Sequence, residues 1–119
     1  MPNSDKRLEK RVVLSTPVEV KVQSCPDHPD LEGVRFPGTT SDVSMNGIRL
    51  HIDRLLPVNT FMEMEVTLAQ HLFLLSGTVV WSKLVDKTNA HVGVLFTTAD
   101  ESRMWSWKNQ LSRILTAKQ

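Results

Sequence analysis

The sequence predicts a mainly β chain, a small antiparallel barrel followed by one C-terminal helix. Three observations predict it. Apolar residues alternate with period two in successive short runs, stretches rich in Pro, Gly, Asn and Asp separate those runs, and the period turns helical only after residue 98. Several short strands leave unpaired edges unless the sheet closes on itself, so five to seven strands with one covering helix point to a barrel rather than a flat sheet.

The elements follow in order. Residues 1–11, MPNSDKRLEKR, are polar and without apolar periodicity, and read as a flexible N-terminal arm. From Pro17 the period is two, with Val18, Val20 and Val22 on one face and Glu19, Lys21 and Gln23 on the other, a half-buried strand. Pro26, Pro29, Gly33, Pro37 and Gly38 mark residues 24–38 as a long surface loop. Ile48, Leu50 and Ile52 then alternate with Arg49, His51 and Asp53 as a second strand. After a turn at Leu55–Asn59, Met62, Met64, Val66 and Leu68 form a third. The run Leu72–Trp81 is more continuously apolar and contains Gly77, which predicts a strand buried on both faces or bent at the glycine. A polar turn at Asp86–Asn89 leads to Val92, Val94 and Phe96, another strand. Thr98-Ala99-Asp100-Glu101 has the form of a capping box, and Met104, Trp107, Leu111, Ile114 and Leu115 recur at helical spacing, so the helix is predicted over about 98–116.

Composition narrows the function. The 119 residues suit one domain, residues 12–119 beyond the arm, with no repeat and no linker, and no stretch approaches the roughly 20 apolar residues that span a bilayer. A charged N-terminus without an apolar stretch behind it is not a secretory signal, and the lone Cys25 excludes an internal disulfide; both fit a cytoplasmic protein. A net charge of +1 argues against a DNA- or RNA-binding surface. Cys25 and His28 lie close together in a Pro-rich loop with no third group to orient a base, so no catalysis is expected. Cys25, Asp27, His28 and Asp30 lack the paired ligands from separate elements that structural zinc uses, and His51, His71 and His91 fall on different strands, so neither a metal nor a cofactor is expected.

Two short pieces carry the chemistry. Arg7-Leu8-Glu9-Lys10-Arg11 places two guanidinium groups four residues apart, roughly 13–14 Å if extended. A guanidinium donates two parallel hydrogen bonds to phosphate and also stacks on a base or pairs with the O6 and N7 edge of guanine. Asp42-Val43-Ser44-Met45-Asn46-Gly47 supplies a carboxylate able to accept from guanine N1 and N2, a hydroxyl as a second anchor, and a glycine that permits close approach. Each piece has a plainer reading. The basic pair is a solvated arm, and the second piece is a turn in which Asp42 and Ser44 bond their own backbone and Gly47 takes a positive φ. Taken together they suit a ligand with phosphates at one edge and a purine at the other.

In this order the two pieces resemble the RxxxR and D/N-x-S-x-x-G motifs of the PilZ domain, the bacterial receptor module for cyclic di-GMP. The matching positions are Arg7 and Arg11, then Asp42, Ser44 and Gly47. Gly77-Thr78-Val79-Val80-Trp81 and Val92-Gly93-Val94-Leu95-Phe96 resemble the family's later strands, so the similarity spans about residues 6–98. The resemblance implies a six-stranded antiparallel barrel over which the arm folds when cyclic di-GMP binds, with Arg7 and Arg11 on phosphates and guanine and Asp42, Ser44 and Gly47 on a guanine edge. Trp81 matches a position beside the base, where a ring can stack; its plainer reading is a barrel tryptophan packed on the helix. Lys6 replaces the arginine that often precedes the motif, which bears on whether one or two stacked nucleotides bind. The resemblance further implies a protein partner, control of motility, exopolysaccharide or virulence, and a monomer or a ligand-linked dimer. The competing reading is a PilZ-fold adaptor that binds protein and no nucleotide. Exposed Lys108 and Arg113 on the helix are candidate partner contacts.

Overall fold

A computed structural model describes residues 11–117. Seven strands and one long helix appear in the order β1 (Arg11–Val13), β2 (Pro17–Ser24), β3 (Arg35–Ser44), β4 (Gly47–Ile52), β5 (Phe61–Leu68), β6 (His71–Leu84), β7 (Ala90–Phe96) and α1 (Glu101–Ala117), with a short 3-10 turn at Pro29–Leu31. The sheet runs β3-β2-β5-β6-β7-β4 and closes because β4 also pairs with β3, giving a six-stranded antiparallel barrel. The short β1 adds to β3 beyond the end of β2, so one edge of β3 is shared between them.

Period two decides the interior. Val18, Val20 and Val22, Ile48, Leu50 and Ile52, and Met62, Met64, Val66 and Leu68 are all buried, each set from one face of its strand. Cys25 and Leu56, both from connecting segments, complete the core. Neither belongs to a periodic run, so pattern alone does not expose them.

Three expectations are corrected. The segment read as loop over 24–38 contains the first four of the ten residues of β3, because Pro37 and Gly38 serve the strand. Pro37 pairs with Glu19 of β2, and β4 joins β3 only from Thr39 onward, so the missing N–H interrupts no ladder there. A Cβ at Gly38 would stand 2.7 Å from Ile52 Cγ2, so glycine admits the core side chain. The apolar β6 is not buried on both faces: Leu72, Leu74, Val80 and Trp81 are 41–63% exposed. Its irregularity falls between Val79 and Trp81 rather than at Gly77, whose missing side chain instead makes room for Val94. The helix is capped by Asp100, whose Oδ1 accepts from the N–H groups of Ser102 and Arg103, and not by Thr98. Thr98 Oγ1 is engaged with Ser76, accepting from its N–H at 2.7 Å.

The helix covers the barrel end where β3 and β7 finish and β4 and β6 begin. Trp107 is fully buried there, edge-on to Phe73 (5.4 Å) and Phe96 (5.3 Å). Its indole N–H donates to the Ser44 carbonyl at 2.9 Å, which fastens the helix to the second motif.

Candidate functional site

The chain enters the described structure at Arg11. Register pairs Arg11 with Ser44, Val12 with Val43 and Val13 with Asp42, so the end of one motif lies against the start of the other. Val12 is buried and tethers β1 to the core while Val13 is 83% exposed, the alternation of a strand with one wet face. Between β1 and β2 the chain bends around Thr40, whose hydroxyl donates to the Leu14 carbonyl and accepts from the Thr16 N–H. This buried hydroxyl satisfies the two backbone groups that the break in the strand would orphan.

Asp42 is buried, yet it carries a charge. Both of its oxygens are engaged: Arg11 Nε donates to Oδ1 at 2.6 Å, and Arg49 Nη2 lies 2.8 Å from Oδ2. A desolvated carboxylate is stable only when its lone pairs are met, and two guanidinium groups meet them while leaving the cluster one positive charge in excess. Arg49 also lies over the Trp81 ring, 5.9 Å from its centroid, within cation–π range. Among the described residues its Nε is buried without a hydrogen-bond partner.

One row crosses four strands. Asp42 of β3 is the register partner of Arg49 in β4, Arg49 that of Gly93 in β7, and Gly93 that of Trp81 in β6. The indole lies on Gly93, where an added Cβ would come within 2.1 Å of Trp81 Nε1. Glycine is therefore the seat of the tryptophan. The result is a strip on the outside of the barrel that reads guanidinium, carboxylate, guanidinium, aromatic ring. The cleft of about 250 Å³ bounded by Glu19, Lys21, Glu63 and Arg103 lies elsewhere and shares none of these residues.

The sequence-predicted residues thus divide. Arg11, Asp42 and Trp81 fall on the strip. Trp81 does not pack on the helix; Trp107 does. Ser44 is fully buried, its hydroxyl donating to the Gly47 carbonyl at 3.2 Å inside the β3–β4 hairpin. Gly47 has no positive φ; a Cβ there would stand 2.6 Å from the Val94 carbonyl, so its smallness serves the β4–β7 contact. Ser44 and Gly47 build the hairpin that carries Asp42. Lys6 and Arg7 lie outside the described residues, as does the rest of the arm before Arg11. Arg49 was missed by sequence reasoning, and the only available signal was its outward position on the strand that begins at Gly47.

The other candidates resolve simply. Cys25 is a core residue whose Sγ lies 3.5 Å from Thr60 Oγ1, whereas His28 is exposed. His51 and His91 are cross-strand partners with rings 5.2 Å apart, edge to face. Among the described residues no three His, Cys, Asp or Glu side chains converge as a metal site would require, and no helix is long and apolar enough to cross a membrane.

A closed six-stranded barrel with a helix over one end and a cationic strip on its wall is a small binding module. The PilZ domain profile matches residues 5–117, and the chain belongs to that family. Solved structures agree on the fold. The PilZ domain of CeSA from a cellulose-synthesizing bacterium superposes with a TM-score of 0.62 at 17% identity, covering 92% of this chain and 99% of that one. The PilZ domain of Escherichia coli YcgR with c-di-GMP gives 0.63 at 15% identity, covering 92% and 88%. The K. pneumonia MrkH–c-di-GMP complex gives 0.65 at 15% identity, covering 93% of this chain and 52% of that one. No curated protein matches the chain by sequence.

Proposed function

We propose that the chain is a receptor for cyclic di-GMP whose output is contact with a protein partner rather than catalysis. The observation that carries this reading is the Arg11–Asp42 pair at 2.6 Å, which joins the two motifs on one open strip beside a half-exposed tryptophan. Phosphates fit the guanidinium groups, guanine donors fit the Asp42 carboxylate, and a base stacks on Trp81. Two solved structures of the same fold, one of them a PilZ domain, contain c-di-GMP, which supports the same ligand here.

An open face retains a small charged ligand only when something covers it. Residues 1–10, with Lys6 and Arg7, precede Arg11 of the strip directly in sequence, and this reading gives them that task. Binding therefore orders the arm over the barrel, consumes part of the interaction energy in doing so, and creates a surface for the partner. Exposed Lys108 and Arg113 on α1 offer a second partner face. Solved structures of the same fold include an inhibitor of motility and a c-di-GMP-dependent transcription regulatory factor, so a process of that kind, in the cytoplasm, is the expected setting.

A second reading has its own observation. With both carboxylate oxygens already engaged, the Arg11–Asp42–Arg49 cluster also serves as a staple for β1 in an adaptor that binds no nucleotide. Calorimetric titration with cyclic di-GMP separates the two readings, because the receptor gives heat at tens of micromolar and the adaptor none. In the receptor Arg11→Ala weakens binding by about 2 kcal/mol through loss of a charge-assisted bond; equal binding by the variant and the parent protein would contradict a ligand role for Arg11.

A further inference from the structure

We infer that Arg11 occupies on Asp42 the place a guanine base takes, and that Arg49 is the fixed positioning residue presenting the carboxylate to either; the inference rests on the cyclic di-GMP reading above. The two arginines on Asp42 are unequal in how they are held. Arg49 belongs to β4, hydrogen-bonded to β3 on one side and β7 on the other, and its guanidinium lies over an indole, 5.9 Å from the ring centroid, that is itself seated on Gly93. Arg11 belongs to a three-residue strand that pairs only with β3 among the described residues. Peeling β1 away breaks few backbone bonds, whereas moving β4 opens the barrel.

The donors that meet Asp42 are chemically alike. The N–H donors on the N1/N2 edge of guanine and the Nε–H of arginine both belong to planar guanidine units, so the Oδ1 acceptor that Arg11 Nε meets at 2.6 Å suits a guanine N–H as well. Adenine has an acceptor at N1 beside its N6 donor, and that lone pair facing the carboxylate disfavours it. Nucleotide binding is then an exchange at Oδ1. Guanine takes the acceptor, Arg11 leaves it for a phosphate, and Arg49 stays on Oδ2 throughout. Three consequences follow for the site: it is self-occupied without ligand, guanine selectivity depends on Arg49 holding the carboxylate, and the arm senses the base because its own terminal arginine is displaced.

The test uses the full chain labelled with 15N, observing the arginine Nε–H signals by NMR while cyclic di-GMP is added. Expected are a shift of the Arg11 signal as the nucleotide binds, and an Arg49 signal that remains protected from solvent exchange in both states. Calorimetry on Arg49→Gln and Arg49→Lys with cyclic di-GMP and cyclic di-AMP is the companion measurement. Arg49→Gln should weaken cyclic di-GMP about tenfold or more and narrow its preference over cyclic di-AMP, with Arg49→Lys in between. A purely structural Arg49 would instead lower both affinities in proportion. Nucleotide binding that leaves the Arg11 signal unmoved, or undiminished selectivity in Arg49→Gln, overturns the exchange while sparing the receptor reading. Absence of any binding to the parent chain removes both.

Discussion

Trp81 and Trp107 are the same residue type in opposite settings, and the contrast separates what stabilises this barrel from what the proposed receptor would offer its ligand. Trp107 is fully buried at the closed end, wedged edge-on between Phe73 and Phe96 with its N–H on the Ser44 carbonyl. Trp81 is 41% exposed on the wall, lying on a glycine with a cation beside it. Burial of a large ring with its one donor satisfied is a packing solution. A half-exposed ring lying on a glycine next to a guanidinium is the platform that the proposed receptor needs. The closed end should therefore govern stability and the wall should govern affinity, with Ser44 linking the two through its carbonyl.

The largest expected effect tests the closed end. Trp107→Ala removes the ring between two phenylalanines and should cost about 3–5 kcal/mol in denaturant unfolding, enough to leave α1 undocked. If the loss were small, the helix would not be the closure it is taken for. Next comes the wall. Gly93→Ala places a Cβ within 2.1 Å of Trp81 Nε1 and must push the indole off its seat. Loss of stacking should weaken cyclic di-GMP by about 1–3 kcal/mol and shift Trp81 fluorescence, with far-UV circular dichroism preserved. An affinity unchanged by this substitution would remove Trp81 from the binding strip.

Smaller effects refine the closed end. The two-residue turn between β5 and β6 has both Ala69 and Gln70 at positive φ, 50° and 69°, a conformation that glycine adopts without a Cβ penalty. Gln70→Gly should raise the unfolding free energy by roughly 0.5–1 kcal/mol without altering nucleotide affinity, which thermal melts and calorimetry would check together. The smallest effect concerns pH. The Asp100 carboxyl is held below the ordinary 3.8 first by the Arg103 N–H and then by Ser102, with burial opposing. A depressed native value stabilises the fold above the unfolded value and is lost as acid protonates the native carboxylate, so the melting temperature should fall as pH drops below 3.8. Asp100→Asn keeps a capping acceptor that does not titrate in this range, and its profile should be flatter there.

The strands that the alternating valines, isoleucines and methionines announce are present, as is the helix that carries Trp107 and Leu111. Pro37 and Gly38 misled because the same residues that make turns also serve a strand where a ladder is absent or a neighbour is close. Ser44 and Gly47 were legible as a motif, but their engagement inside the hairpin was not, since it depends on a carbonyl of β7 and on the backbone around the turn. Arg49 was plainly an outward residue and nothing more.

Side-chain period, turn chemistry and capping act over a few residues, so the chain by itself determined that β2, β4, β5, β6 and β7 extend, which face β2, β4 and β5 bury and where the helix begins to within three positions, while β1 and β3, which carry no alternating apolar run, were not legible. The closure of the sheet through β3, the choice of Trp81 for the wall and Trp107 for the interior, and the sharing of Asp42 between Arg11 and Arg49 were decided only by the tertiary structure. They depend on register between strands distant in sequence, and a one-residue slip in any pairing would turn those side chains to the opposite face.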